Sequence, residues 1–356
     1  MITILSSASA RPNFVKLAAV HHALAKREGV KHMIVHTGQH YDPLLSDIFF
    51  KQLSIPEPDQ NLGVKGGASR EETIQITCDA MTPVLKLARP DILLVYGDVN
   101  GAVGAARAAA DLGIRIGHVE AGLRSFDTDM PEELNRIEID TLADELFVSE
   151  QSGIDHLKKE GAKGRIHFVG NTMIDTLVRM QPSIDAARLS FDLPKRYAVA
   201  TLHRPSNVDT KEALEQNIAF LSEISEQCPL VLPLHRRTQA ALGAHGLKLG
   251  DRIQSIDPLG YVEFLRLVAP AEFILTDSGG IQEEATFLKK RCFTLRRNTE
   301  RPATIKSGSN VLIDPENKSD RETVLAFATK SEQISVEIPE LWDGKAGERI
   351  ADVLCH

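Results

Sequence analysis

Three carboxylates stand where acid–base chemistry could use them. Asp98 follows the apolar run ILLVYG, Glu120 follows RIGHV, and Glu132 follows Pro131 at the start of a helical pattern. Arg136 comes four residues after Glu132, a spacing that shares one helix face. Leu134, Ile137 and Leu142 read as the apolar positions of that helix. Asp98 and Glu120 each end a buried-type strand, so both point to one sheet edge. Carboxylates gathered at one site raise one another's pKa, as general acid and base catalysis requires.

A second group suits phosphate. In LTDSGGIQEEA, residues 275–285, an apolar strand ends in Ser278-Gly279-Gly280 and a helix begins. A helix N-terminus presents unpaired N–H groups and partial positive charge, and glycines let a phosphate come close. Ser278 can cap the helix or donate to a phosphate oxygen. Glu284, a turn further in, could reach a ribose diol. Glu283 and Glu284 lie about 100° apart on a helix, so one ligand cannot take both. Arg11 and Lys16 flank Pro12 after the first strand, and two cations there suit a diphosphate. His203 ends another strand and could stabilise a departing phosphate. Arg301, in RRNTERP, follows the strand after the Ser-Gly-Gly helix and would sit beside the same phosphates. No GxGxxG follows the first strand, so a dinucleotide fingerprint is missing. GAVGAA, at 101–106, reads as small residues that let a helix lie close on the sheet.

The elements that must carry these residues form two series. Short apolar runs begin near residues 2, 32, 91, 115, 145 and 165, and again near 197, 229, 252, 272, 292 and 310, with helical patterns between them. Near-continuous apolar strands alternating with helices predict parallel sheets covered on both faces. The two series resemble each other: the first strand of each leads into an Arg-Pro turn and a helix. With 356 residues, the chain predicts two doubly wound, Rossmann-like α/β domains, at 1–175 and 176–344. Pro182 and Pro194 mark a linker over 176–196, and a last helix, about 345–356, packs back on the first domain. Ligands of such sheets bind beyond the carboxyl ends of the strands, so the polar loops should line a cleft between facing domains.

Composition narrows the function classes. Net charge is −8 and acids alternate with bases, which leaves no footprint for nucleic acid or an anionic membrane. No apolar run approaches membrane-spanning length, and the first residues lack a signal-peptide pattern. The four cysteines are far apart and read as reduced thiols. No histidines have paired ligand spacing, so no metal is indicated. A soluble cytoplasmic protein is expected.

Together the motifs closely resemble the non-hydrolysing UDP-N-acetylglucosamine 2-epimerase family. They are ARPNFVK (10–16), YGD (96–98), HVEAGLRS (118–125), MPEELNR (130–136), VGNTMIDT (169–176), LHRPSNVD (202–209), DSGGIQEEA (277–285) and NTERPAT (298–304), in the family's order. The resemblance implies a GT-B-like pair of domains, a UDP-sugar substrate, no cofactor and a homodimer. It implies inversion at C2 by elimination of UDP to a glycal, followed by re-addition. On this match Glu284 holds the ribose, while Lys16 and Arg136 organise the sugar. Asp98, Glu120 and Glu132 handle protons, and His203 joins them as a catalytic group. Asn13 stands where a glutamate is common, and Pro205 replaces an arginine often seen after the histidine. Tyr41-Asp42 also depart from the family pattern. The substrate expected first is UDP-N-acetylglucosamine; the alternatives are a hydrolysing relative, an epimerase for UDP-glucose or a modified UDP-amino sugar, a glycosyltransferase of similar shape and a non-catalytic nucleotide-sugar sensor.

Overall fold

The computed structural model describes residues 1–38, 50–67, 69–330 and 332–355, without the side chain of Arg11. Contacts divide the chain into two compact units: Met1–Met180 with Pro339–His356, and Gln181–Ile338.

The first unit carries β1 (Ile2–Ala8), β2 (Val30–His36), β3 (Gln60–Asn61), β4 (Ile92–Tyr96), β5 (Arg115–Ala121), β6 (Glu145–Val148) and β7 (Arg165–Phe168). Its described helices are α1 (Arg11–Leu24), α2 (Arg70–Ala88), α3 (Asn100–Asp111), α4 (Pro131–Leu142), α5 (Gln151–Glu160) and α6 (Thr172–Ala186), which ends just past the unit boundary. The second unit carries β8 (Ala198–Thr201), β9 (Leu230–Pro233), β10 (Ile253–Ile256), β11 (Phe273–Thr276), β12 (Arg291–Thr294) and β13 (Asn310–Leu312). Its described helices are α7 (Pro205–Val208), α8 (Lys211–Gln227), α9 (Arg236–His245), α10 (Tyr261–Val268), α11 (Gly279–Phe287), α12 (Pro302–Lys306) and α13 (Lys318–Lys330). The last helix, α14 (Ala346–Cys355), belongs to the first unit.

Among the described residues the sheets run β3-β2-β1-β4-β5-β6-β7 and β10-β9-β8-β11-β12-β13. All pairings are parallel. Both sheets reverse strand order at an inner strand, between β1 and β4 and between β8 and β11. Such switch points open a crevice at the carboxyl ends of the strands. In β8, Ala198 and Ala200 enter one apolar cluster while Val199 enters another, so helices cover both faces. All twelve apolar runs of the sequence are strands. β3 is the addition: two exposed polar residues carry no hydrophobic signal.

One local expectation changes, and another holds except at Gly104. The segment around Pro182 is helical through Ala186, so the expected linker begins as a helix. A Cβ on Gly104 would meet Ile74 O at 2.5 Å and Thr77 Cβ at 2.6 Å, both in α2. The small residue there serves helix–helix approach, whereas α3 meets the sheet through buried alanines.

α14 packs on α1, where a Cβ on Gly347 would meet Ala19 O at 2.4 Å. Trp342 Nε1 donates to Ser149 O at 3.0 Å. Asp175 closes the N-terminus of α14 by accepting from Ala346 N at 3.0 Å and Gly347 N at 2.7 Å. Burial pushes this carboxyl up to about 6, against the pull of the two amides. An acid raised in the folded state holds its proton there longer than in the unfolded chain. Its contribution to stability is therefore full below the unfolded pKa of 3.8 and lost as pH climbs through about 6. The unfolding free-energy advantage of Asp175→Asn over wild type, measured by denaturant titration, should grow with pH across this window by up to about 3 kcal/mol and level off above it. A difference that does not change with pH would contradict this.

Candidate active site

The first unit builds its site at the β1/β4 switch point. Asn13, in the first turn of α1, accepts from Ser9 N and Ala10 N and donates to Tyr96 O at 2.7 Å, tying the β1 loop to the end of β4. Gly97 turns the chain at φ +64°. A Cβ there would meet Lys16 Nζ at 2.9 Å and Glu120 Oε1 at 3.7 Å. Gly97 therefore leaves room for two charged side chains directly before Asp98. Lys16 Nζ lies 2.6 Å from Glu120 Oε1, and both side chains are buried. Glu120 sits at φ +78°, a left-handed conformation that costs a non-glycine residue roughly 1–2 kcal/mol. The register of β5 against β6 shifts between Val119 and Ala121, and such bulges re-aim a side chain.

Asp98 is paired with Arg136. Arg136 also holds Glu133 at 2.6 Å, one turn earlier on α4. Glu133 Oε2 further accepts from Ser125 N and Ser125 Oγ, both at 2.9 Å. Burial pushes the Glu133 carboxyl up, but these donors together hold it below its usual value. The sequence pattern had α4 packing on Leu134 and Ile137. Both are exposed, and the buried face is instead Glu133, Asn135, Arg136, Ile139 and Asp140. The inward face of α4 is mostly polar, and of the expected apolar positions Leu142 packs against the core. Glu132 is half-buried in the first turn of α4.

The second unit builds its site at the β8/β11 switch point. His203 Nδ1 lies 2.8 Å from Asp277 Oδ1. The other oxygen, Asp277 Oδ2, accepts from His203 N at 2.9 Å, Arg204 N at 2.8 Å and Asn207 Nδ2 at 3.1 Å. Burial pushes Asp277 up, but His203 and the two amides keep it below the usual carboxylate value. Asp277 thus fixes the strand-end histidine.

Ser278 occupies the N-cap of α11 without a side-chain cap bond. Gly279 and Gly280 follow in the first turn. A Cβ on Gly279 would meet Arg301 Nη1 at 2.5 Å, so the glycine brings the guanidinium against the helix start. Arg301 pairs with Glu300, and its Nε lies 3.2 Å from Glu283 Oε2. Arg296 pairs with Glu300 from the other side at 2.7 Å. Gln282 Oε1 accepts from Thr299 Oγ1 at 2.7 Å and Asn310 Nδ2 at 2.9 Å, which pins the Arg301 loop to the helix. Glu284 points elsewhere, beside the buried Tyr261 hydroxyl, to which it is electrostatically coupled without a well-formed hydrogen bond. Burial pushes Glu284 up to about 8, with Tyr261 opposing and Glu283 adding to the rise. Neither glutamate is solvated.

Asp98, Glu120, Lys16 and Arg136 therefore gather in one unit, and His203, Ser278, Gly279, Gly280, Glu284 and Arg301 gather in the other. The side chain of Arg11 lies outside the described residues, as do Tyr41 and Asp42. Among the described residues no His, Cys, Asp or Glu cluster could hold a metal, and no helix is long and apolar enough to cross a membrane. Glu133, Asp277 and Gln282 went unassigned in the sequence. Each lies inside a motif, but its partners become visible only in the fold.

Two parallel α/β units, each with a polar site at its switch point, define the class of GT-B-like nucleotide-sugar enzymes. The family model for UDP-N-acetylglucosamine 2-epimerase matches residues 22–355, and the chain belongs to that family. A UDP-N-acetylglucosamine 2-epimerase from Methanocaldococcus jannaschii is 37% identical over 364 residues, covering 97% of each chain. A UDP-2,3-diacetamido-2,3-dideoxy-D-glucuronate 2-epimerase from Pseudomonas aeruginosa is 38% identical over 355 residues, covering 99% of each. The crystal structure of the M. jannaschii UDP-GlcNAc 2-epimerase in complex with UDP-GlcNAc and UDP superposes with TM-score 0.90 at 35% identity, covering 99% of both chains.

The Lys16–Glu120 pair yields a stability test. Removing one partner of a buried pair costs about 3–5 kcal/mol, whereas removing both charges costs much less. Lys16→Met should fall in that range by denaturant unfolding, and Lys16→Met/Glu120→Gln should regain at least half of the loss. Equal losses in the single and double variants would show that the contact carries no coupling.

Proposed function

We propose that this chain inverts C2 of a UDP-sugar, UDP-N-acetylglucosamine in first place, by the non-hydrolysing route. A carboxylate takes the C2 proton while the C1–O bond breaks. The bonding pair of C1–O leaves on the UDP oxygen, and C1 and C2 become doubly bonded in a glycal. A proton then returns to the opposite face of C2 and the UDP oxygen re-forms its bond to C1. The C2 hydrogen is weakly acidic, so its removal must be concerted with departure of UDP.

One observation carries the reading: two carboxylates, Asp98 and Glu120, flank Gly97 at the switch point, each with its own cation. Two-faced proton traffic needs more than one acid, and Asp98 and Glu120 supply it, with Glu132 as the third candidate. Lys16 orients Glu120 and Arg136 orients Asp98, and both cations contact the sugar. In the second unit the N–H groups at Gly279 and Gly280 and the Ser278 hydroxyl, with Arg301 against the helix start, suit the diphosphate. His203, held by Asp277, stabilises the charge that grows on departing UDP. Glu284 accepts from the ribose diol.

The P. aeruginosa relative favours a second substrate reading, a modified UDP-amino sugar. Both substrates enter one experiment. Turnover in deuterium oxide, followed by NMR, should place deuterium at C2 of the product UDP-sugar while free sugar stays below the UDP-sugar. The faster of the two substrates names the preference. Asp98→Asn and Glu120→Gln should each slow exchange about 10²–10⁴-fold with UDP affinity kept. Retained C2 hydrogen in converted product excludes the mechanism, and accumulation of free sugar assigns the hydrolysing type instead.

A further inference from the structure

We propose that Asp140, acting through His118, is a positioning residue that sets Asp98 and Glu120 relative to each other; this rests on the proton-handling reading of those two acids. Asp140 lies on the buried face of α4 and is 3% exposed. Its Oδ1 accepts from His118 Nδ1 at 2.7 Å. The other ring nitrogen, His118 Nε2, donates to Gly97 O at 3.0 Å. Both ring nitrogens end on oxygen atoms, so the ring is held at both ends. Asp140 Oδ2 accepts from Gly122 N at 3.1 Å.

The destinations of these bonds are specific. Gly97 directly precedes Asp98, and Gly122 stands two residues after Glu120. Gly97, Glu120 and Gly122 all have positive φ, at +64°, +78° and +79°. One carboxylate thus grips the two turns that aim the two acids. The same helix adds a third hold on Asp98, where Asn135 Nδ2 donates to its backbone oxygen at 2.7 Å. The charge of Asp140 is met by Arg124 Nη2 at 2.7 Å, and Arg124 is in turn anchored on Glu160. A buried pair with only a packing role would have no cause to end on both flanks of the acids. Proton transfer is steep in distance, and a 1 Å misplacement costs about 100-fold in rate.

The test is Asp140→Asn in the full-length protein, with kcat, KM, C2 deuterium exchange and UDP affinity by calorimetry. The expected result is kcat and exchange down together about 10–100-fold, with UDP affinity within twofold of wild type. Glu160→Gln, which removes only the outer anchor of Arg124, should stay near wild type. Asp140→Glu keeps the charge but moves it by one methylene, and should lose kcat in the same way. It decides by the same criteria should the asparagine variant fail to fold. Turnover within threefold of wild type in either folded variant overturns the positioning role. So does loss of UDP binding in parallel with turnover, which would assign the pair to the fold. Wild-type protein that exchanges no C2 hydrogen overturns the proposed function itself, and the positioning role with it.

Discussion

A charge removed from water must meet a partner, and both sites are organised by that constraint. Lys16 and Glu120 are nearly buried and lie 2.6 Å apart. Asp277 is fully buried and takes the ring of His203 and two strand-end amides. Arg301 stands between Glu283 and Glu300 at the start of α11. These pairs are a poor source of net stability, because desolvation offsets most of their attraction. What they supply is position. A charged side chain fixed in a dry pocket needs no reorganisation when substrate charge develops beside it, the condition under which electrostatic catalysis works best.

Placement at the switch points follows from topology. A strand flanked on one side by the next strand and on the other by a later one leaves diverging loops at its carboxyl end. β1 and β8 occupy that place in their sheets. The residues there cannot continue the ladder, so their polar groups are available for ligand. Backbone strain also reaches this part of the first unit: Glu120, near the end of β5, is left-handed, and the register shift after Val119 accompanies it. Such strain persists only where the surroundings over-determine it. The hydrogen bonds of Asp140, His118 and Asn13 supply that over-determination.

Much of the fold was legible because its signals are local. Apolar runs such as ILLVY and FILT are buried on both faces and read as strands without their neighbours. β3 was invisible because pairing along the edge of a sheet needs no apolar residue. α4 misled for the opposite reason: helical periodicity assumes that the apolar face goes inward, whereas here the inward face carries Glu133, Asn135, Arg136 and Asp140. The candidate site residues stand out by type and strand-end position, which a motif preserves. Their partners do not, because Lys16 and Glu120 are 104 residues apart and His203 and Asp277 meet only once β8 lies beside β11. The glutamates of α11 separate onto Arg301 and Tyr261, as two neighbours on one helix must.

The central claim is that the bond between C1 and the UDP oxygen breaks and re-forms within each turnover. The most direct measurement labels that bridging oxygen with oxygen-18 in UDP-N-acetylglucosamine and follows the label by phosphorus NMR. Breakage frees the β-phosphate to rotate, so label should appear in its non-bridging positions in both product and recovered substrate, at a rate comparable with epimerisation. Epimerised product with the label wholly retained in the bridge would contradict the account.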